Sequence, residues 1–284
     1  MRFTFAAAFT AIFLAFSCIA CLQHTAPVAN VTRIDPKGDK VKDRIGVPAG
    51  YTRIPEAEGS FAAYLRNAYL KPDGTQVHYF DGRIKPNNNI YVAVIDMPIG
   101  NKNLQQCADV IIHQQAQYLF NSHRQNDIHF TFTNGFRADY CKWKDGYRIR
   151  VANNSTAWEK TALPDSSISC FLAYMDVVYN YCGTLSLSKE LKSISYADLL
   201  PGDVFIKGGN PGHAELVMDM AQNNKGQKIY LLAQGYMPAQ DMQVLANPQQ
   251  PQLSPWYELD ATSSEIITPE WTFGQGQLMR FENN

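Results

Sequence analysis

The stretch from Leu200 to Ala221, LPGDVFIKGGNPGHAELVMDMA, constrains this chain more than any other. Two apolar runs flank a cluster of Gly, Pro and Asn, which is the pattern of a β-hairpin. The hairpin commits the surrounding chain to an antiparallel sheet. It also sets His213 at the first position of the second strand, at a sheet end and beside a loop. The next apolar run, Lys228 to Gln234, predicts a third strand that returns alongside the second. In such a meander His213 and Gln234 come within reach of each other. A side-chain carbonyl accepting from one imidazole nitrogen fixes the tautomer and leaves the other nitrogen free to take a proton.

Elsewhere the periodicities alternate between helix and strand. Ser60 caps a predicted helix through Phe61, Tyr64 and Leu65. Val77 to Phe80 and Ile90 to Asp96 read as strands, the second so continuously apolar that a central position is expected. Asn103 opens an amphipathic helix through Leu104, Cys107, Val110, Ile111, Gln114, Tyr118 and Leu119. Ile128 to Thr133 predicts a strand ending at the Asn134-Gly135 turn. Asp165 to Tyr181 predicts a second long helix between Pro164 and Gly183, and a short helix follows around Ser188 to Lys192. Strands are expected at Met242 to Leu245 and Leu278 to Phe281. Helices leading into a run of antiparallel strands make the expected class α+β.

The first part of the chain reads differently. Arg2 precedes an apolar run from Phe3 to Phe16, too short to span a bilayer and suited to an export signal. Cys18 follows Ser17 and Cys21 follows Ala20, so either thiol fits lipid attachment after a small residue. The expected organisation is a signal and lipobox over 1–21, a flexible tether over 22–42 and one domain over 43–284. That arrangement implies an exported, membrane-anchored lipoprotein. Net charge is −1 with mixed signs, and no basic patch argues for nucleic acid.

Four cysteines remain in the domain: Cys107, Cys141, Cys170 and Cys182. Cys170 and Cys182 share the predicted second helix, about 18 Å apart, beyond disulfide reach. No CxxC or clustered Cys/His set supports zinc, and no cofactor is expected.

Two residues compete as partner to His213. Cys107 lies in the first turns of its helix, where Gln105 or Gln106 would be a donor to an oxyanion; alternatively it is a small core hydrophobe. Ser166 lies at the start of the second long helix, either as a nucleophile or as an ordinary helix cap. Trp256 and Trp271, beside prolines, line a sugar groove or pack as buried aromatics. Asp96, Asp109 and Asp203 would assist a base or act as caps and turns.

From Asp165 to about Leu245 the chain resembles an NlpC-type cell-wall peptidase domain of papain-like fold. The matching features are Asp165-Ser166-Ser167 at a helix start, the helix through Tyr174 and Val178, Leu200-Pro201-Gly202-Asp203, His213, and Gln234 on the adjacent strand. The family's cysteine nucleophile falls where this chain has Ser166. The resemblance implies a papain-like antiparallel sheet packed by helices, with an N-terminal elaboration. It also implies hydrolysis of an amide in peptidoglycan or a related peptide, with His213 as base, Gln234 as its orienter and Cys107 or Ser166 as nucleophile. A catalytically inactive relative that binds an envelope peptide through the same cleft is the other expectation.

Over nearly the whole domain the chain is also similar to domain-of-unknown-function family 4846 of bacterial exported proteins. The segments that carry this likeness include Leu104 to Asp109, Phe132 to Gly135, Gly183 to Leu187, Pro211 to Ala214 and Ser254 to Tyr257. That family brings boundaries and no activity.

Overall fold

The computed structural model describes residue 1 and residues 32–153 and 155–282. The expected signal and the two candidate lipidation sites, Cys18 and Cys21, lie outside the described residues. Of the tether expected over 22–42, only residues 32–42 are described, and they are held against the domain. From Thr32 the chain is already docked, with Thr32 Oγ1 donating to Leu253 O at 3.0 Å and Ile34 bridging Ile45. Val41 and Ile45 are fully buried, too few apolar positions to give a period yet enough to hold the segment down.

In chain order the elements begin with α1 (Val41–Arg44), β1 (Tyr51–Arg53) and α2 (Phe61–Arg66). β2 (Tyr91–Val94), α3 (Cys107–Asn121), β3 (His129–Thr131) and β4 (Arg137–Asp139) come next. Then follow α4 (Tyr140–Lys144), β5 (Tyr147–Ala152), β6 (Ser155–Lys160), α5 (Ile168–Tyr181) and α6 (Thr184–Glu190). The remaining strands are β7 (Lys192–Ser193), β8 (Val204–Lys207), β9 (His213–Asn223), β10 (Lys228–Gln234) and β11 (Gln243–Leu245). Last come β12 (Tyr257–Glu258), β13 (Glu265–Ile267), β14 (Thr272–Gly274) and β15 (Leu278–Arg280).

The architecture is α+β. One antiparallel sheet runs β2-β11-β10-β9-β8-β15-β7, with β1 added to the far end of β9 and β12 to β10. β9 is its spine, with His213 to Ala221 buried without a break. Successive residues of a strand point to opposite faces, and a register shift in the β9–β10 pairing, where Leu231 meets Asp219 and Leu232 meets Val217, moves that alternation by one residue along β9. Ala214, Leu216 and Met218 join α3 and α5 in the larger core. Val217 and Met220 join Phe205, Leu232, Ile266 and Phe273 in a second core beneath the C-terminal hairpin β13–β14. The sheet is therefore covered on both faces, which is why its strands read as continuous apolar runs.

Two strand expectations change. Ile90 to Asp96 forms β2 at one end of the sheet, not at its centre. It is buried because residues 69–71 cover its outer edge, with Lys71 N donating to Val94 O and Asp96 N to Tyr69 O. Val77 to Phe80 makes only isolated bridges, His78 with Ile84 and Tyr79 with Gln240, since the chain doubles back through Gly82. The N-terminal part is no separate elaboration: β1 and β2 belong to the main sheet.

The amphipathic helix expected from Asn103 lays its apolar stripe on the sheet. α3, not α5, packs against β9 and β10, while α5 packs against α4. The helix beside the His213 strand thus comes from outside residues 165–245. No helix among the described residues is long and apolar enough to cross a membrane.

Candidate functional site: a cysteine, a histidine and a glutamine at the sheet end

Cys107 is the first residue of α3, and the local sequence explains why the helix starts there. Asp109 Oδ2 accepts from Gln106 N at 3.0 Å, holding the residue before the helix. The first N–H groups of a helix have no partner within it, so the Cys107 thiol sits at the positive end of fifteen aligned peptide units. That is a position at which a thiolate is stabilised.

The strand end is built by glycine. Gly212, just before His213, is packed so closely that a Cβ would lie 2.4 Å from both Gly209 O and Thr184 Oγ1. His213 follows as the first residue of β9, 2% exposed. Its Nε2 lies 2.7 Å from Gln234 Oε1, and Gln234 is the last residue of β10, fully buried. Three rings enclose the imidazole: Tyr236 at 4.9 Å, Trp271 at 5.2 Å and Phe273 at 6.0 Å between centroids.

Burial works against charging the His213 ring. The neighbouring Cys107 and Glu215 side chains outweigh that burial and lift the ring to about pKa 10. The protonated ring is thus favoured at neutral pH, and it is Cys107 and Glu215 that favour it. Glu215 Oε1 stands 3.5 Å from His213 Nε2 and accepts from Thr268 Oγ1 at 2.7 Å.

Cys107 and His213 line one cleft of about 640 Å³, together with Gln106, Thr184, Tyr236 and Trp271. Cys107 itself is 8% exposed, at the cleft floor. Of the two glutamines expected near an oxyanion, Gln106 lines this cleft and Gln105 does not. Gln105 is buried against Met97 Sδ. Ser166 stands apart: it is exposed, precedes α5 and does not line the cleft. The α5 cap is Ser167, whose side chain accepts from Cys170 N at 3.1 Å. The four domain cysteines are free, and Cys182, at the end of α5, borders the same cleft. Among the described residues no group of His, Cys, Asp or Glu is arranged to hold a metal ion.

The three aspartates considered as assistants divide. Asp203 is bound by Arg280 and accepts from Leu200 N at 2.8 Å, so it serves the turn before β8. Asp96 is exposed. Asp109 caps α3 and borders the cleft, and burial pushes its carboxyl up to about 8.

The reading of the sequence did not single out Glu215 and Thr268 beside the ring, the enclosing Tyr236 and Phe273, or Lys85 and Glu270 behind Gln234. Glu215 alone had a signal. It is two residues past His213 and therefore on the same face of the strand.

Fold and site together define an α+β protein with a helix-terminal cysteine, a strand-initial histidine and a glutamine gathered at one end of an antiparallel sheet. The chain belongs to the family described as domain of unknown function 4846, which matches residues 41–280. No curated protein and no solved structure matches it significantly.

Proposed function

We propose that this chain is a cysteine hydrolase of papain-like, NlpC-type fold that cleaves an amide in peptidoglycan or a related peptide. The observation that carries the reading is the coupling of Cys107, at a helix N-terminus, to a His213 ring raised to about 10 and bonded to Gln234. A thiolate and an imidazolium at neutral pH are the reactants such an enzyme uses.

In this mechanism the Cys107 thiolate attacks the amide carbon, forming a C–S bond. The carbonyl oxygen becomes an oxyanion facing the unpaired N–H groups at the start of α3. His213 delivers its proton to the amide nitrogen as the C–N bond breaks, and the amine departs. Water then attacks the thioester, giving a proton to His213. Release of the acid restores the thiolate–imidazolium pair. Gln234 keeps the ring in plane for both transfers. Ser166 has no part in this scheme.

Export and lipid attachment at Cys21 or Cys18 belong to the same proposal. They rest on the basic, apolar and cysteine-bearing order of residues 1–21 and fit an envelope substrate.

A second reading, an inactive member that binds an envelope peptide, draws on the burial of Cys107. Labelling separates the two. A fluorescent iodoacetamide at pH 7 should label Cys107 in the wild type and fail to do so in His213→Ala. Defined muropeptides should be cleaved by the wild type and not by Cys107→Ala. A Cys107 no more reactive than an ordinary thiol, with muropeptides bound but uncleaved, would overturn the hydrolase in favour of the binder.

A further inference from the structure

The Gln234 amide has two ends of similar shape, and the hydrogen-bond network decides which one faces the imidazole. Gln234 Nε2 lies 2.6 Å from Glu270 Oε2. A carboxylate only accepts, so the NH2 end must face Glu270 and the carbonyl end must face His213. Oε1 therefore accepts from Nε2–H of the ring at 2.7 Å. With Nε2 committed as a donor, Nδ1 is the nitrogen left to exchange a proton with a thiol.

Glu270 is itself tied down. The same Oε2 accepts from Lys85 Nζ at 2.6 Å, and Lys85 is 5% exposed with its ammonium 5.1 Å from the centre of the Tyr236 ring. Glu270 occupies the turn of the β13–β14 hairpin, whose Thr268 N donates to Trp271 O at 2.9 Å. Lys85, Gln234 and Glu270 come from three distant parts of the chain. They meet in one line ending on the ring: ammonium, carboxylate, amide, imidazole.

We propose that Glu270, anchored by Lys85, is a positioning residue that fixes the orientation of the Gln234 amide and, through it, the His213 ring. The inference rests on the Cys107–His213 reading and extends it to residues that touch neither thiol nor cleft floor. Without the carboxylate, the Gln234 amide is free to turn its NH2 end toward the ring. That end repels a protonated Nε2–H and disfavours the charged pair.

The test is the pH profile of Cys107 carboxymethylation by iodoacetate, read by mass spectrometry, for wild type, Glu270→Gln, Glu270→Asp and Lys85→Met. Far-ultraviolet circular dichroism checks that each variant is folded. Glu270→Gln should lower the rate at pH 7 about tenfold and move the midpoint of the acid limb to higher pH, as loss of one charged hydrogen bond implies. Glu270→Asp should recover part of the rate, and Lys85→Met should fall in the same direction by a smaller factor. If Glu270→Gln does not fold, Lys85→Met carries the test in its place. A folded Glu270→Gln, or in its absence Lys85→Met, with the wild-type profile would overturn the inference and leave the Cys107–His213 pair standing. A wild-type Cys107 that alkylates only as an ordinary thiol does, rising near pH 8.5, would overturn both.

Discussion

Gly235 stands so close to α3 that a Cβ built on it would lie 2.7 Å from Cγ1 of Val110. The same Cβ would be 3.1 Å from Gln106 O, the carbonyl that accepts from Val110 N in the first turn of α3. Gly235 follows Gln234 directly, so one missing side chain lets the cysteine helix close on the strand that carries the histidine's partner. Gly235→Ala should push the start of α3 outward. Overpacking of this kind costs about 1–3 kcal/mol, which thermal denaturation would register. Displacing the thiol should also lower alkylation of Cys107 at pH 7 by about ten- to a hundredfold.

Glu215 supplies a buried carboxylate to the ring, and its glutamine isostere keeps an oxygen for Thr268 while removing the charge. In Glu215→Gln the His213 ring should titrate well below the value of about 10 that Cys107 and Glu215 give it in the wild type. The ring resonance followed by NMR between pH 5 and 11 checks this. Because the folded value is raised above 6.5, the ring's contribution to stability is complete below pH 6.5 and is lost as pH rises through about 10. Wild-type melting temperature should therefore decline across that window, and Glu215→Gln should flatten the decline.

Asp109 and His113 set opposite slopes on the acid side. Burial raises the Asp109 carboxyl from 3.8 to about 8, so between these values the unfolded chain gives up its proton more readily and stability falls as pH rises. Asp109→Asn keeps an acceptor for Gln106 N and should abolish that slope. Burial lowers the His113 ring from 6.5 to about 4, with Nδ1 2.6 Å from the Tyr179 hydroxyl. Here stability is lost as pH falls from 6.5 through 4, and His113→Gln should remove that loss. Melting temperatures measured from pH 4 to 8 separate the two.

Asp219 is fully buried on β9 and takes Arg53 Nε at 2.6 Å and Arg66 Nε at 2.7 Å. The pair of arginines ties β1 and α2 to the spine of the sheet. Asp219→Ala removes the buried carboxylate that both guanidinium groups share, leaving Arg53 with Ile45 O and Arg66 with Ile54 O and Glu56, and should cost about 3–5 kcal/mol in urea unfolding. Asp219, Arg53 and Arg66 do not line the cleft that holds Cys107, so alkylation measured well below the new midpoint should be unchanged.

Much of the sheet was legible before any coordinates. The runs at Val204–Lys207, His213–Asn223 and Lys228–Gln234 are short, apolar and separated by turn residues, and a strand pattern is local information. The juxtaposition of His213 and Gln234 follows from that meander. The cap at Ser60 was equally plain, because its side chain accepts from Ala63 N three residues on. Less legible was β2, whose apolar run suited a central strand. Its edge is covered by a segment, residues 69–71, that carries no strand period of its own.

What the sequence determined by itself was the α+β class, the central hairpin and the residues able to share a proton across adjacent strands. Each of these is written in spacings of a few residues, where side-chain period and turn chemistry act directly. Only the tertiary structure decided that α3 rather than α5 meets the histidine strand, and that Lys85 and Glu270 converge on Gln234. Those meetings join positions up to 185 residues apart. They arise from helix and hairpin packing on two faces of one sheet, and no local pattern in the chain encodes which of two amphipathic helices a strand end will face.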